Sequence, residues 1–164
     1  MAAKDFTLLQ INLHEIFEYK DGTLFWKISK SGIKSKKAGY TQSHGYKKVT
    51  LYGKPYFIHR IIFLMHYGFL PKVVDHIDGN KANNFLNNLR EADHSKNVLN
   101  TKKSNANTSG VKNVHWSKIS KKWFARITIN KKRKYVGYFD DLLLAEKAII
   151  EARNMHYGEF ANHG

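Results

Sequence analysis

The chain of 164 residues contains no cysteine and two prolines, and its 13 Asp and Glu are outnumbered by 28 Lys and Arg. Without cysteine there is neither a disulfide framework nor a thiolate zinc site, so zinc fingers and ribbons are excluded. Any metal has to be held by His, Asp, Glu or amide oxygen. Long apolar runs are missing too. The longest aliphatic and aromatic run covers residues 61–65, far short of what a bilayer requires. Residues 1–10 lack the apolar stretch followed by small residues that marks a secretory signal, so an intracellular protein is expected.

What is present is positive charge, a formal +15 alongside 42% hydrophobic residues. That hydrophobic share suffices for one ordinary domain or two small ones. The charge calls for a polyanion, and nucleic acid is the expected partner, with no membrane. Between residues 23 and 58 the pattern is of short strands, at 24–28, 46–52 and 55–58, with Gly53-Lys54 as a turn and Lys47, Lys48 and Lys54 in or beside the hairpin. A short buried helix is expected over 59–67, closed by Gly68. Residues 73–100 then offer an apolar strand start, a loop dense in Asp, Asn and Gly, and a polar helical stretch from about 89 to 99.

Asp75 and His76 put a carboxylate and an imidazole on adjacent residues, just before a turn that Gly79 permits. Neighbours on a strand point to opposite faces, so both reach one phosphate only if the strand bends or approaches a cation from two sides. Asn88 and then Asn97 follow in a stretch whose amides are hard to place in a core. Each also has a plain structural use, since Asp-Gly segments make turns and asparagines cap helices. Asp78 and Gly79 are assigned to the turn, and Asn83, Asn84 and Asn87 to the loop backbone. His94, three residues before Asn97 and on the same face of a helix, is given either a surface place or one supporting the phosphate or metal site. His59 and Arg60 either steady a phosphate or begin a helix packed on the hairpin.

The segment DHIDGNKANNFLNNL followed by READHSKN resembles the H-N-H endonucleases, in the variant with asparagine in the third position found in phage and intron homing enzymes. The correspondence runs over residues 59–100. It implies a ββα-metal motif in which His76 is the general base, Asn88 orients the imidazole, and Asp75 and Asn97 hold one divalent cation. Such chemistry needs a deprotonated water in line with the scissile bond and positive charge at the phosphate. A neutral imidazole accepts the water proton near pH 7 if its other nitrogen donates to a fixed acceptor, such as the Asn88 carbonyl. Oxygen ligands favour magnesium or manganese.

Residues 110–139 hold nine Lys or Arg and no acid, spread over strand candidates at 111–116, 122–130 and 133–139. A helix should follow, with Asp140 as its N-cap, Ala145, Ala148, Ile149, Ala152 and Met155 on one face, and Gly158 at its end. On the middle strand Trp123, Ala125, Ile127 and Ile129 share one parity, leaving a basic face opposite. The pieces SGVKNVHW, KWFARI, YVGYFD and YGEFAN resemble the Apetala or ethylene-response-factor DNA-binding domain. That resemblance marks Lys112, His115, Arg126, Thr128, Arg133 and Tyr135 as DNA contacts. Val114 and Thr128 stand near positions where plant members often carry arginine, so base preference does not transfer. Trp116 and Trp123 are assigned to the core.

The expected architecture is α+β. A nuclease domain with an N-terminal β-rich extension occupies residues 1–103, a linker 104–109, and a three-stranded antiparallel sheet packed on one helix 110–164. The expected function is homing-type DNA cleavage, as a nick or a double-strand break, by a monomer or a transient dimer on DNA. Two rivals are a non-catalytic DNA-binding regulator with a vestigial nuclease motif and an RNA-directed nuclease.

Overall fold

The computed structural model describes residues 8–27, 36–93, 99–101 and 103–164. It is a mixed α and β structure of small antiparallel sheets, in two compact units, Met1–Ala92 and Asp93–Gly164.

The first unit is organised around one helix. After the short α1 (Leu13–Ile16) come the hairpin β1 (Phe17–Lys20) and β2 (Thr23–Trp26), then a three-stranded sheet of β3 (Tyr40–Thr41), β4 (Lys47–Leu51) and β5 (Lys54–Phe57). Helix α2 (Ile58–Tyr67) follows directly, and it packs against β4, β5 and the next strand, β6 (Val73–His76). Ile58, Ile61, Ile62, Phe63 and Leu64 are all buried, so the helix is enclosed on several sides and is the centre of the core. It stops at Gly68, whose φ of +74° suits glycine and whose N–H bonds to the Leu64 carbonyl at 2.9 Å. Strand β6 pairs with β7 (Leu89–Ala92), where a helical stretch was expected. Alternation is hard to see in so short a strand, because Leu89 and Ala92 are both buried and stand three apart, as on a helix.

Two polar residues at the start of α2 are built into this unit. Arg60 donates from both terminal nitrogens, at 3.1 Å each, to the carbonyls of Pro71 and Lys72, fixing the chain as it enters β6. His59 is buried, and among the described residues its Nδ1 has no hydrogen-bond partner. Burial first, then the neighbouring His76 and Arg60, push its pKa down to about 3.

In the second unit β8 (Val114–Ser117), β9 (Lys122–Ile129) and β10 (Lys132–Phe139) form an antiparallel sheet in the order β10-β9-β8, and α3 (Leu142–Tyr157) packs across it. Ala125 and Ala145 are fully buried, and their small side chains let helix and sheet approach closely. The helix cap is Asp141, not Asp140: its Oδ1 accepts from the N–H groups of Leu143 and Leu144, while Asp140 pairs with Lys122. The buried face also turns by a few residues. Met155 is 80% exposed, and Arg153 lies on the Ala145–Ile149 face instead, wholly buried. A charged residue is discounted in a hydrophobic count, yet here its Nη1 donates to the Lys112 carbonyl at 3.2 Å. The Lys112 ammonium in turn donates to the carbonyls of Leu99, Thr101 and Asn162. Within 104–109, the expected linker, Asn107 donates to the Val111 carbonyl at 3.0 Å. The Ser109 hydroxyl lies 2.7 Å from the Val114 carbonyl.

Two stability measurements check this account. Lys112→Met leaves three carbonyls without their donor and should lower the urea stability of the chain by about 2 kcal/mol; an unchanged midpoint would show that the ammonium contributes nothing. For His59 the folded pKa lies below the unfolded one, so the unfolded chain takes the proton first as pH falls. The stability gained by keeping the ring neutral is therefore full above about pH 6.5 and is lost as pH drops toward 3. Between pH 7.5 and 5 this costs about 2 kcal/mol. Urea midpoints should fall less steeply for His59→Phe than for the wild type; parallel pH profiles would overturn the assignment.

Candidate active site and nucleic-acid interface

The chemistry-bearing residues of the first unit are held by the β6–β7 pair and the loop that joins it. Asp75 stands opposite Arg90 and His76 opposite Leu89. The ladder continues one step further, with the Ile77 N–H on the Asn88 carbonyl at 2.9 Å, so the loop leaves and returns at fixed points. Inside it the side chains replace the secondary structure. The Asp78 carboxylate accepts from the Asn80 N–H at 2.7 Å, Asn83 Nδ2 at 2.7 Å and Asn88 Nδ2 at 2.9 Å. Burial alone would raise the Asp78 pKa, but these three donors and the nearby His76 outweigh it and hold the group below its ordinary value. Asn88 completes the knot, its Oδ1 accepting the Asp78 N–H at 3.0 Å and its Nδ2 donating to the Asn83 carbonyl at 2.8 Å.

This loop delivers Asn84 to His76. Asn84 is 1% exposed, and its Oδ1 lies 2.9 Å from His76 Nε2. Because that oxygen can only accept, the contact selects the Nε2–H tautomer and leaves Nδ1 as the accepting nitrogen. The imidazole contact expected of Asn88 is thus made by Asn84, while Asn88 shapes the loop. The β1–β2 turn braces the same place. A Cβ at Gly22, which has φ +72°, would stand 3.0 Å from the Phe85 nitrogen, and the Tyr19 hydroxyl accepts the Leu86 N–H at 3.0 Å. No separate signal in the sequence distinguishes Asn84 from the asparagines around it.

On its other sides the His76 ring meets His59 at 4.9 Å and Tyr46 at 6.0 Å between centres. His59 is therefore a neutral wall of the site within the α2 packing, the structural alternative of the two expected. Burial, then the Asp75 carboxylate, raise the phenol pKa of Tyr46. Asp75 is buried, and its Oδ2 accepts from Arg90 Nε at 3.0 Å and Nη2 at 2.9 Å. A carboxylate is a hard oxygen donor of the type a divalent cation takes. Among the described residues no three His or carboxylate groups gather into a metal site. A set of one carboxylate and one amide falls below that count, and Asn97, like His94, lies outside the described residues.

In the second unit the register places Arg126 opposite Tyr135, Thr128 opposite Arg133, and Phe124 opposite His115. Directly paired residues share a face, so these six line one side of the sheet while Ala125 and Ile127 face the helix. Tyr135 is 62% exposed, and Arg126 lies over the Phe124 ring at 5.5 Å. Burial, then the Arg126 charge, hold the His115 pKa below its ordinary value, so this ring is neutral at pH 7. Lys112 does not belong to the face. It precedes β8, and Asn113 at φ +68° breaks the alternation that parity counting assumes, turning the ammonium inward. Trp123 packs at the margin of the core, whereas Trp116 is 45% exposed beside it.

A family model described as HNH endonuclease matches residues 56–99, which span α2, both strands of the β6–β7 pair and the loop between them. "Protein 3.8" of Escherichia phage T7 is 38% identical over 96 residues, covering 57% of this chain and 78% of that protein. Neither is described as an Apetala-type domain, and no solved structure matches. With that identity over most of its relative's length, the chain belongs to the same family as phage T7 Protein 3.8, and it carries an HNH endonuclease domain at residues 56–99.

Proposed function

We propose that this protein is a metal-dependent endonuclease of double-stranded DNA, with His76 as its general base. The observation that carries the reading is the buried His76, held through Nε2 by Asn84, beside the Asp75 carboxylate and inside the HNH match. With its tautomer chosen, the ring offers Nδ1 to take a proton from the attacking water. His59 adds no second positive charge beside it, because burial keeps that ring neutral. Asp75, with Asn97, would hold one divalent cation, magnesium or manganese. Such a cation, when bound, supplies charge stabilisation at the phosphate and the leaving oxygen. Asn88 acts at one remove, by shaping the loop that presents Asn84.

The nuclease domain is assigned to residues 1–103 and the DNA-binding module to 110–164. In the module His115, Arg126, Thr128, Arg133 and Tyr135 form the duplex-reading face, which supports the Apetala-like reading of a three-stranded sheet entering the major groove. Two weak grips on one chain raise the local concentration of nuclease at its target. A homing-type enzyme of phage origin, acting inside a bacterial host as a monomer or a transient dimer, fits this division. No helix among the described residues is long and apolar enough to cross a membrane. One observation favours a second reading, a DNA-binding protein without cleavage: Arg90 already occupies the carboxylate that would face a cation.

Cleavage of supercoiled plasmid with magnesium, with manganese and with chelator tests the proposal. The wild type should convert plasmid to open circles or linear product only with metal, and His76→Ala should lose at least about 100-fold in rate while keeping DNA binding. A variant that cuts as fast as the wild type removes His76 from the mechanism, and binding without any cutting establishes the second reading. In the same assay the double variant Arg126→Gln, Arg133→Gln should scatter the cleavage sites; an unchanged site map would take the sheet out of target choice.

A further inference from the structure

One face of the β3–β4–β5 sheet leads to the edge of the His76 site. Lys48 stands opposite Phe57, and its Nζ lies 4.4 Å from the centre of that ring. Phe57 meets Tyr46 edge-on at 5.3 Å. Lys81, from the loop after β6, brings its Nζ to 4.9 Å from the centre of the Tyr46 ring. Its stem lies beside Gly45, where an added Cβ would be 3.7 Å from the Lys81 Cβ. Tyr46 then contacts both imidazoles, at 5.4 Å from His59 and 6.0 Å from His76. The sequence of contacts is therefore ammonium, ring, ring, ammonium, and it abuts the general base.

Among the described residues neither lysine has a carboxylate partner. The acids nearest the site are engaged, Asp75 by Arg90 and Asp78 by its loop. A ring beneath an ammonium fixes its position without neutralising it, so the charge stays available to an anion. We propose that this strip seats the phosphate backbone of one strand of the duplex beside the scissile bond, Lys81 and Lys48 each neutralising a phosphate. Tyr46 and Phe57 determine where those ammoniums stand. The rings are not stacking platforms for bases, because ammoniums and neighbouring rings already cover them. The inference rests on the nuclease reading for what happens at His76, but not for the affinity the strip contributes.

The test uses the full-length protein and a fluorescent duplex. Affinity is measured in chelator over a salt series, and cleavage with magnesium, for Lys48→Gln, Lys81→Gln and Lys54→Gln. Lys54 removes the same charge from the same hairpin, but it pairs with Leu51 at the turn and belongs to the opposite face. Lys48→Gln and Lys81→Gln should each weaken binding about five- to tenfold and reduce the slope of log affinity against log salt by about 1. Both should raise KM more than they lower kcat, Lys54→Gln should change affinity less than about twofold, and Lys81→Arg should restore it. Equal losses from all three glutamine variants, or none at positions 48 and 81, overturn the strip. A wild type that binds without cutting overturns the nuclease reading, and the affinity series still decides this one.

Discussion

The antiparallel pairing of Val73–His76 with Leu89–Ala92 is the constraint on which the rest of the first unit depends. It presents Asp75 and His76, and by pinning both ends of the intervening loop it returns Asn84 to the imidazole it left eight residues earlier. A polar loop of this kind cannot be stabilised by apolar burial, and Asp78, Asn80, Asn83 and Asn88 hold it by bonding to one another and to its backbone. The loop's order is thus electrostatic and hydrogen-bonded, while the platform beneath it, α2, is held by packing. Chemistry and stability have been given to different forces in adjacent elements.

The division explains what could be read from the residues. Helix α2 was legible because an apolar run followed by glycine has few other uses, and the sheet-and-helix order of the second unit because alternation and a lone amphipathic stretch specify it. His76 and Asp75 were legible as a motif. The partner of His76 was not: Asn83, Asn84, Asn87 and Asn88 are chemically the same, and only the path of the loop determines which amide arrives at the ring. Leu89–Ala92 were hidden because a four-residue strand is too short to show its period. Arg153 and Lys112 were missed for a different reason, since a charged side chain is read as solvent-facing until backbone carbonyls are seen to receive it.

The two basic surfaces also differ in kind. On the second unit arginines and aromatics line a whole sheet face. On the first unit two lysines are held on rings at the edge of the candidate site. Under the proposed function the broad face would serve to find a place on DNA, and the narrow strip to hold one strand still once it is found.

The ammonium of Lys112 has a wider meaning in a chain that has no cysteine. Together with the bonds between Asn100 and Asn162, which are 62 residues apart, it ties the start of the second unit to its end. Small secreted domains commonly close such loops with a covalent crosslink, which reducing surroundings would break. Here one cation bound to three carbonyls closes the loop instead, forming and releasing without an oxidant, so the unit can be stapled shut wherever it is made.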